Sequence, residues 1–421
     1  MDKLKVLCFG YNGTNNTGSE AKLLTTIADL REALGEKIEK IGVLSFGRYD
    51  LRRYIKDENI EIYPITPLGT NGPLNLLRII DEGYNILILS EGSTFIDHFS
   101  DVFIWIFMLA ARLQKLRGGK VVAYANDCGH LKEHNQRGLR KTLNESIDLI
   151  MLRNPDAKKR MEEYGVKKKI HLTADDAYLY PLPDENYRKK ILNKLKLDPK
   201  KKPIITLALK EFFWWPVTFH LHGPEKDLYV PTAYQTWTPE GKENSERFKR
   251  ELTQYADYLV ERFNANILLV GMEGMDCPVS KEVYERMKHK SEGRYIPSHK
   301  YDVNDIKILL CSSKYLVTTR YHASVLSSSA GVPAIAISSD TRLEAVFREL
   351  GMTDLYVDYV KHPNPFPNVE NLYELLLDKT DKMVKREGEL RKRILKADGD
   401  FVSRAKKNQE IFSEWAGRTF K

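Results

Sequence analysis

Short apolar, strand-like runs alternate with longer helical patterns along most of this chain, and this alternation limits the folds that it can adopt. In the first half the strand-like runs are Lys5–Phe9, Lys40–Ser45, Ile60–Tyr63, Ile86–Leu89, Val121–Tyr124 and Leu149–Leu152. Apolar residues recur at helical spacing in Ser19–Leu34, Asp97–Leu116 and Asp156–Tyr164. Short strands separated by helices are typical of a parallel sheet that is covered on both faces.

The pattern is interrupted by two prolines in Pro181–Asp184 and then begins again. The predicted strands of the second half are Pro203–Leu209, Asn266–Val270, Tyr315–Thr318 and Ala334–Ile337, and the predicted helices are Tyr187–Lys196, Ser245–Phe263, Lys281–Lys290 and His322–Ala330. Because 421 residues are too many for one hydrophobic core, we predict two Rossmann-like domains, residues 1–183 and 184–362, followed by basic C-terminal helices at 363–421. This α/β architecture is that of the B-type glycosyltransferase fold. The ligand is expected in the cleft that the two domains face, beyond the carboxyl ends of the strands.

The charge balance favours an anionic ligand over nucleic acid. The chain has 66 basic and 58 acidic residues, a net charge of +8, and no dense Lys/Arg block interleaved with aromatic residues. The cysteines, Cys8, Cys128, Cys277 and Cys311, lie far apart and form no CxxC pair, so we expect free thiols in a reducing cytoplasm. The longest apolar run, Val102–Ala111, is too short to span a bilayer core of about 30 Å.

A glycine-rich loop, Gly10–Glu20, follows the first predicted strand and opens the first helix. It lacks the GxGxxG and GK[ST] patterns of common nucleotide-binding loops. Free backbone amides at a helix start favour an anion or sugar contact, for which Asn16, Gly18, Ser19 and Glu20 are the candidates. The alternative is a tight turn that is capped by Ser19, with Glu20 in the first helical turn.

The segment Thr319–Ala323 (TRYHA) lies between an apolar strand and a helix. Arg320 offers a fixed fork of donors that matches carboxylate or phosphate oxygens. His322 is the kind of side chain best suited to proton transfer near neutral pH. Both are expected at the carboxyl end of a strand, facing the cleft, and are candidate catalytic residues. A purely structural histidine is the alternative.

An aromatic segment that includes Trp214 and Trp215 follows the first strand of the second domain and is expected to overhang the cleft. Flat aromatic faces suit the apolar face of a pyranose ring, so both tryptophans are candidate sugar contacts. A packed loop or a dimer contact is the alternative. The nearby pair His220 and His222 lacks a convincing set of further ligands, and no metal is expected.

The C-terminal segment Lys382–Lys421 is rich in Lys and Arg at helical spacing. A peripheral contact with a membrane would explain this composition, and so would a solvated helix face. The basic charge and the aromatic segment are compatible with a homodimer without requiring one.

Several of these segments together resemble the polysaccharide pyruvyl transferase family. The loop at 10–20 resembles the family's GxxGxxNxGDEA motif, and Arg320–Ala323 resembles its RLHA signature, after which Gly331–Pro333 and the next strand match G-x-P-x-I-x-I. The residues from Leu152-Arg153 through Gly165 to Thr173-Ala174-Asp175 resemble its R-D-x-x-S…L…G…A-D segment. The resemblance runs from about residue 6 to about residue 355.

The chain departs from the family in several places. Ser19 stands where the family usually has Asp, and the turn SEGS at residues 90–93 replaces its GGG turn, with Ser93 as a candidate contact. Lys210 stands where an arginine often follows the strand, which keeps the charge and removes the bidentate geometry. The family's Y-D-x-K becomes SDTR at 339–342, which keeps an aspartate and supplies Arg342 as the cation.

The resemblance implies the transfer of a pyruvyl group from phosphoenolpyruvate to hydroxyls of a sugar in a cell-surface polysaccharide or lipid-linked glycan precursor, forming a ketal without a further cofactor. His322 would then be the acid/base, and Arg320, Lys210 and Arg342 would hold the carboxylate and phosphate. The first domain would take the acceptor and the second the donor. Two alternatives stay open: a glycosyltransferase that uses a nucleotide-activated sugar, and a catalytically inactive homologue that binds a ligand.

Overall fold

The computed structural model describes residues 3–46, 51–65, 72–97, 101–213, 217–220, 222–224, 228–230, 233–338, 340–360 and 367–421. Its strands are β1 (Leu4–Phe9), β2 (Ile38–Ser45), β3 (Ile60–Pro64), β4 (Ile86–Leu89), β5 (Lys120–Asn126), β6 (Leu149–Leu152), β7 (Ile170–Leu172), β8 (Ile204–Ala208), β9 (Val217–Phe219), β10 (Leu228–Val230), β11 (Ala233–Gln235), β12 (Asn266–Gly271), β13 (Gly293–Pro297), β14 (Tyr315–Thr318), β15 (Ala334–Ser338) and β16 (Tyr356–Asp358). Its helices are α1 (Thr17–Leu34), α2 (Gly72–Asp81), α3 (Asp101–Leu116), α4 (Glu133–Ser146), α5 (Pro155–Glu163), α6 (Glu185–Lys194), α7 (Pro239–Phe263), α8 (Cys277–Arg286), α9 (Val303–Cys311), α10 (Tyr321–Ser327), α11 (Thr341–Glu349), α12 (Leu372–Lys385) and α13 (Glu387–Thr419).

Each of the two domains is built on one parallel sheet. The N-terminal sheet has seven strands in the order β3-β2-β1-β4-β5-β6-β7, and the C-terminal sheet has six in the order β13-β12-β8-β14-β15-β16. The strand order reverses beside β1 in the first sheet and beside β8 in the second, and such reversals open a crevice at the carboxyl ends of the strands. A small antiparallel sheet, β10-β11-β9, follows β8.

The central strands are apolar along their whole length because helices cover both faces of each sheet. The strands β4 (ILIL) and β8 (IITLA) are buried at every position. Strands of this kind lose their hydrophobic contribution if either face is uncovered, so the sheets depend on the helices between them. The sheets, and the helical extension after them, confirm the predicted α/β fold class.

The last helix, α13, joins the two domains. Its middle packs into the C-terminal core, where Phe401 is buried, and its end packs into the N-terminal core, where Phe412 is fully buried against the ring of Tyr124 at 6.2 Å. Asn408, also fully buried, donates a hydrogen bond to the carbonyl of Ala174 at 2.9 Å. The helix therefore belongs to both hydrophobic cores. Within the described ranges, every helix is too short or too polar to traverse a bilayer.

Candidate active site

A cleft between the two sheets is lined by residues that follow the strand ends of both domains. The N-terminal side contributes Tyr11, Asn16, Gly18, Glu91, Ser93, Ile96, Phe103 and Phe107. The C-terminal side contributes Lys210, Met272, Glu273, Met275, Thr319, Arg320, Tyr321, His322, Asp340 and Arg342. The two sides differ in character, since the first is partly aromatic and the second is densely charged.

The charged wall arises because neighbouring strands of the C-terminal sheet end in polar side chains. In the order β12-β8-β14-β15, the residues that follow the strands are Glu273, Lys210, Arg320 and Arg342. Parallel strands end at the same edge of a sheet, so these side chains meet although they are far apart in the sequence.

Arg320 is held by two carboxylates that follow β12. Its Nε donates to Asp276 Oδ2 at 2.7 Å, and its Nη2 donates to Glu273 Oε2 at 2.7 Å and also to Asp276. The third guanidinium nitrogen, Nη1, makes no hydrogen bond within the described part of the chain. A fork fixed in this way keeps one donor edge for a ligand.

Arg342 is fixed in a similar way by Asp340, which caps α11. The arginine Nε lies 2.8 Å from Asp340 Oδ1 and 3.0 Å from Oδ2, and the backbone amide of Arg342 donates to Oδ1 at 2.9 Å. Burial raises the pKa of the Asp340 carboxyl, but the guanidinium outweighs burial and holds that pKa well below its usual range. The pair is therefore an ionised, pre-positioned unit at the end of β15.

Lys210 follows β8, which neighbours the strand that precedes Arg320, while Arg342 follows the next strand along, β15. Burial, and then the neighbouring charge of Arg320, lower the pKa of Lys210 to about 8, against the opposing effect of Asp340 and Asp276. A compact ammonium group with a pKa this low is sensitive to pH in the range where enzymes work.

His322 begins the α10 helix and packs against the other domain. A Cβ added to Gly18 of α1 would lie 2.0 Å from His322 Nδ1, so only glycine leaves room for the ring. On the opposite edge, Nε2 is buried without a hydrogen bond, and its nearest carboxylate oxygen is Asp175 Oδ2 at 3.5 Å. Burial lowers the pKa of His322 below its usual value, although Asp175 acts against this. Burial therefore favours the neutral imidazole before any ligand binds.

Asp175 belongs to a buried ion cluster of the N-terminal domain. Arg153 pairs with Asp175 and with Asp127, and its Nε lies 2.9 Å from Asp127 Oδ2. Lys22 of α1 pairs with Asp175 and Asp176. All five side chains are at most 1% exposed. The two cations contact three carboxylates, and these contacts fix the position of the carboxylate that faces His322.

Glu91 is the acidic group of the N-terminal wall. Its carboxylate accepts hydrogen bonds from Ser19 Oγ (2.8 Å), Tyr11 N (3.3 Å), Ser93 N (3.2 Å) and Ser93 Oγ (3.0 Å). Burial raises the pKa of Glu91, but the Ser19 hydroxyl and the neighbouring His322 and Lys22 outweigh burial and lower it overall. An ionised carboxylate thus sits against the first turn of α1.

Backbone and side-chain hydrogen bonds join the two domains at the edge of the cleft. The amide of Thr17 donates to the carbonyl of Met272 at 2.8 Å, and Asn16 Nδ2 donates to Glu273 Oε2 at 3.2 Å. The loop that opens α1 is therefore tied to the same carboxylate that holds Arg320. This linkage connects the geometry of the glycine-rich loop with that of the charged wall.

The structure brings most of the candidate residues together. Asn16, Gly18, Ser93, Lys210, Arg320, His322 and Arg342 all line the cleft. Ser19 does not line the cleft, and its hydroxyl contacts Glu91. Glu20 does not line the cleft either: it pairs with Arg53 and accepts a hydrogen bond from the amide of Val303 at 3.2 Å. Trp214 and Trp215 lie outside the described residues. The roles of all these residues stay predictions.

The capping alternative for the loop was wrong in one detail. The N-cap of α1 is Asn16, whose side chain accepts from the amide of Ser19 at 3.1 Å, while the Ser19 hydroxyl donates to Glu91. The first turn of the helix thus contacts a carboxylate of the chain itself, Glu91, through the Ser19 side chain.

Sequence reasoning missed the acidic partners of the site. Glu91, Asp175, Glu273 and Asp276 each follow a strand by a few residues, and Asp175 stood in one of the segments that carry the family resemblance. The available signal was an acidic residue shortly after a strand. This signal is weak because the sequence does not show which cation the acidic residue pairs with. Within the described ranges, no group of three or more His, Cys, Asp and Glu side chains is placed to hold a metal ion.

Comparisons with solved structures confirm the B-type glycosyltransferase fold. UDP-N-acetylglucosamine 2-epimerase from Neisseria meningitidis, bound to UDP-GlcNAc, is similar over 98% of this chain and 99% of its own, with a TM-score of 0.61 and 12% identity. Alr3699/HepE from Anabaena, in complex with UDP and glucose, is similar over 98% and 99%, with a TM-score of 0.59 and 11% identity. A putative UDP-N-acetylglucosamine 2-epimerase from Listeria monocytogenes is similar over 94% and 91%, with a TM-score of 0.58 and 14% identity. At these identities the likeness concerns the fold alone.

Comparisons of sequence give the family. None of the curated proteins compared shows a significant match to this chain. Residues 16–341 match the family model described as polysaccharide pyruvyl transferase. That range covers more than half of the chain and includes the start of α1, the turn after β4 and the TRYHA segment, so this chain belongs to the polysaccharide pyruvyl transferase family.

Proposed function

We propose that this protein transfers a pyruvyl group from phosphoenolpyruvate to two hydroxyls of a sugar in a glycan, forming a ketal. The observation that carries this proposal is the convergence of Lys210, Arg320 and Arg342 on one wall of the cleft, with His322 beside them. Membership of the family supports the same class of reaction. The C-terminal domain takes the donor in this proposal, and the N-terminal domain takes the acceptor.

The charged wall suits a ligand that carries two anionic groups a few ångströms apart. Phosphoenolpyruvate has a carboxylate and a phosphate on the same carbon atom, C2. Arg320 and Arg342 are each held by a carboxylate through Nε and Nη2, which leaves Nη1 as the remaining donor toward a ligand oxygen. Lys210 adds a point charge on the same wall. Because the forks are fixed before binding, little side-chain entropy is lost when the donor arrives.

The reaction forms two C–O bonds at C2 and breaks the bond from C2 to the phosphate oxygen. A proton added to the methylene carbon makes a methyl group and leaves C2 cationic, and the first sugar hydroxyl attacks it. Loss of phosphate makes C2 cationic again, and the second hydroxyl closes the ketal. One hydroxyl proton restores the acid, and the other leaves with the phosphate, so atoms and charges balance.

His322 is the proposed acid for the methylene carbon. Burial lowers the pKa of its imidazole and favours the neutral form in the free protein. A bound trianionic or dianionic donor adds negative charge next to the ring and favours the imidazolium form, which Asp175 at 3.5 Å also stabilises. Donor binding would thus favour protonation of His322 before this residue transfers a proton to the methylene carbon.

Thermal unfolding tests the donor. Phosphoenolpyruvate at a hundred times its dissociation constant stabilises the folded state by about 2.7 kcal/mol, which is a clear rise in Tm. Arg320→Lys keeps a charge beside Asp276 but removes the fork, and should reduce this rise. Arg117→Ala is the matched control, because Arg117 pairs with Asp81 on the surface and lies outside the cleft. A rise with UDP or GDP and none with phosphoenolpyruvate would contradict the proposal and favour a nucleotide-sugar donor.

Turnover tests the acid. His322→Gln should still bind phosphoenolpyruvate within a few-fold of the wild type and should release phosphate at least about 100-fold more slowly. Phosphate release is measured with a panel of sugar acceptors, and circular dichroism checks the fold. A variant that binds the donor and keeps full turnover would remove His322 from the mechanism.

A further inference from the structure

Two departures from the family's usual residues are in direct contact in this structure. Ser19 stands where the family usually has Asp, and Glu91 stands in the turn that replaces its GGG. The Ser19 hydroxyl donates a hydrogen bond of 2.8 Å to Glu91 Oε2. In this chain the carboxylate therefore lies on the turn after β4 and faces the serine in the first turn of α1.

The turn that carries Glu91 is held firmly. Asn126 Nδ2 donates to the carbonyl of Glu91 at 2.6 Å and to the carbonyl of Leu89 at 3.0 Å. A Cβ at Gly92 would lie 2.3 Å from Arg153 Nη1, so the backbone of the turn is pressed against the buried ion cluster. Glu91 is only 5% exposed, yet it lines the cleft. Its position is therefore set by the protein and does not depend on a ligand.

The wall of the cleft beside Glu91 carries aromatic rings. The rings of Tyr11 and Phe103 lie 5.5 Å apart, and each lies 5.6 Å from the ring of Phe46. Tyr11 and Phe103 line the cleft together with Phe107. No cation of the described cleft lining lies on this side, since Lys210, Arg320 and Arg342 all follow strands of the other sheet.

We propose that Glu91 and the aromatic wall of Tyr11 and Phe103 form an acceptor subsite for a neutral pyranose and exclude acidic sugars. This inference rests on the proposed function for the reaction that the acceptor undergoes. The apolar face of the ring packs on the aromatic wall, and its hydroxyls hydrogen-bond to the Glu91–Ser93 pair. A uronic acid or a phosphorylated sugar brings a second negative charge next to a buried carboxylate, which is unfavourable where water does not screen it.

The hydrogen bonds of Glu91 leave room for a substrate hydroxyl. Two of its donors are the fixed backbone amides of Tyr11 and Ser93, and the other two are the hydroxyls of Ser19 and Ser93. A hydroxyl hydrogen can rotate, and its oxygen keeps acceptor lone pairs. An acceptor hydroxyl can therefore donate to Ser93 Oγ while Ser93 donates to Glu91, or it can replace Ser93 at the carboxylate.

Ligand-detected NMR on the full chain tests the subsite without phosphoenolpyruvate. The probes are the methyl glycosides of galactose, glucose and mannose. Each is compared with the methyl glycoside of the corresponding uronic acid, which has a free carboxylate. The wild type should bind at least one neutral glycoside at least about tenfold more tightly than its uronic acid. Glu91→Gln, which keeps the size of the side chain, should reduce this ratio to within about threefold. No binding of any neutral glycoside, or an unchanged ratio in Glu91→Gln, would overturn the inference.

A charge-relocation variant separates a role of the carboxylate from a merely structural one. Glu91→Gly alone should lose the preference for a neutral glycoside over the corresponding uronic acid. Ser19→Asp combined with Glu91→Gly places a carboxylate at position 19, whose side chain contacts Glu91 in the wild type, and should restore the preference to at least about half of the wild-type ratio. A folded double variant that behaves like Glu91→Gly would overturn the inference.

The donor and the acceptor are tested independently. Absence of a phosphoenolpyruvate-induced rise in Tm would contradict the proposed donor and would leave sugar discrimination at Glu91 intact. Conversely, a normal donor response with no sugar discrimination would overturn this subsite alone.

Discussion

Gly18 of α1 and His322 of α10 touch across the two domains. A Cβ at position 18 would come within 2.0 Å of His322 Nδ1 and 2.3 Å of Cγ, and the ring has a buried carboxylate, Asp175, on its other edge. The imidazole is thus confined between two parts of the N-terminal domain, the start of α1 and the buried ion cluster that contains Asp175. The N-terminal domain thereby sets the orientation of a side chain that belongs to the C-terminal domain.

Gly18→Ala should displace the His322 ring and lower kcat. A misplacement of about 1 Å at a reacting group costs on the order of 100-fold in rate, while the affinity for phosphoenolpyruvate should change by much less. Gly388→Ala is the matched control, because a Cβ there meets nothing within 4 Å. Steady-state kinetics and donor titration of both variants give the comparison. Wild-type kcat in a folded Gly18→Ala variant would show that the ring is not confined.

Lys22→Met should destabilise the protein strongly. Lys22 is fully buried with Asp175 and Asp176, and its loss leaves their negative charge uncompensated. Removing one partner from a buried ion pair typically costs about 3–5 kcal/mol. Chemical denaturation measures the free energy of unfolding, with Lys141→Met as a control at an exposed position of α4, where a change within about 0.5 kcal/mol is expected. Equal stability of the two variants would contradict the role of the cluster.

Donor binding should weaken as the pH rises through about 8, the pKa of Lys210 in the free protein. Because the pKa is depressed, the ammonium form is present below this value and is lost above it, where phosphoenolpyruvate is already fully ionised. Isothermal titration at about pH 7 and about pH 9.5 should show a loss of affinity of roughly tenfold or more, since hydrogen bonds to charged groups contribute about 1.5–3 kcal/mol.

Lys210→Arg is the matched variant for this pH dependence. A guanidinium stays charged over the whole range, so its donor affinity should be nearly constant between the two pH values. If the wild type and Lys210→Arg show the same pH dependence, another group is responsible.

Phe412→Ala should destabilise the N-terminal domain although it lies in the last helix. The ring is fully buried in the N-terminal core, and deletion of a buried phenylalanine side chain typically costs about 3–5 kcal/mol. Leu116→Ala, at a position that is 81% exposed, should cost little and serves as the control. Hydrogen exchange of β1 and β5 amides locates the effect. Unchanged protection in those strands would place α13 outside the N-terminal core.

The strands in the middle of both sheets could be predicted from the sequence, and several edge strands could not. Ile86–Leu89 was predicted and is β4 to the residue, because a strand covered on both faces is apolar throughout. The strands β7, β13 and β16 were missed. Each lies at the edge of its sheet and is only partly buried, so it lacks a continuous apolar run.

Helix starts were predicted less well than helix ends. The helix predicted as Ser245–Phe263 begins at Pro239, because its first turns are polar and show no apolar periodicity. The pair Thr238-Pro239 was the local signal, since Thr238 caps the helix and proline suits its first turn. The helix predicted as Lys281–Lys290 is α8, Cys277–Arg286, so both of its ends were predicted four residues too late, although Pro278 marks its first turn.

The cationic residues of the site were predictable and their pairing was not. Arg320 and His322 follow an apolar strand, and the local sequence is sufficient to recognise that position. The contacts of Arg320 with Asp276 and of His322 with Asp175 cross from one strand end or one domain to another. Such contacts depend on strand order and domain packing, which no local pattern contains.

The path of α13 has a consequence for synthesis in the cell. The N-terminal sheet leaves the ribosome first, but the place of Phe412 and Ala416 in its core stays empty until α13 has been translated, after the whole C-terminal sheet. The first domain must therefore wait, incompletely packed, while the second is made. We therefore expect an apolar groove of the first domain to stay exposed in the nascent chain until α13 packs into it.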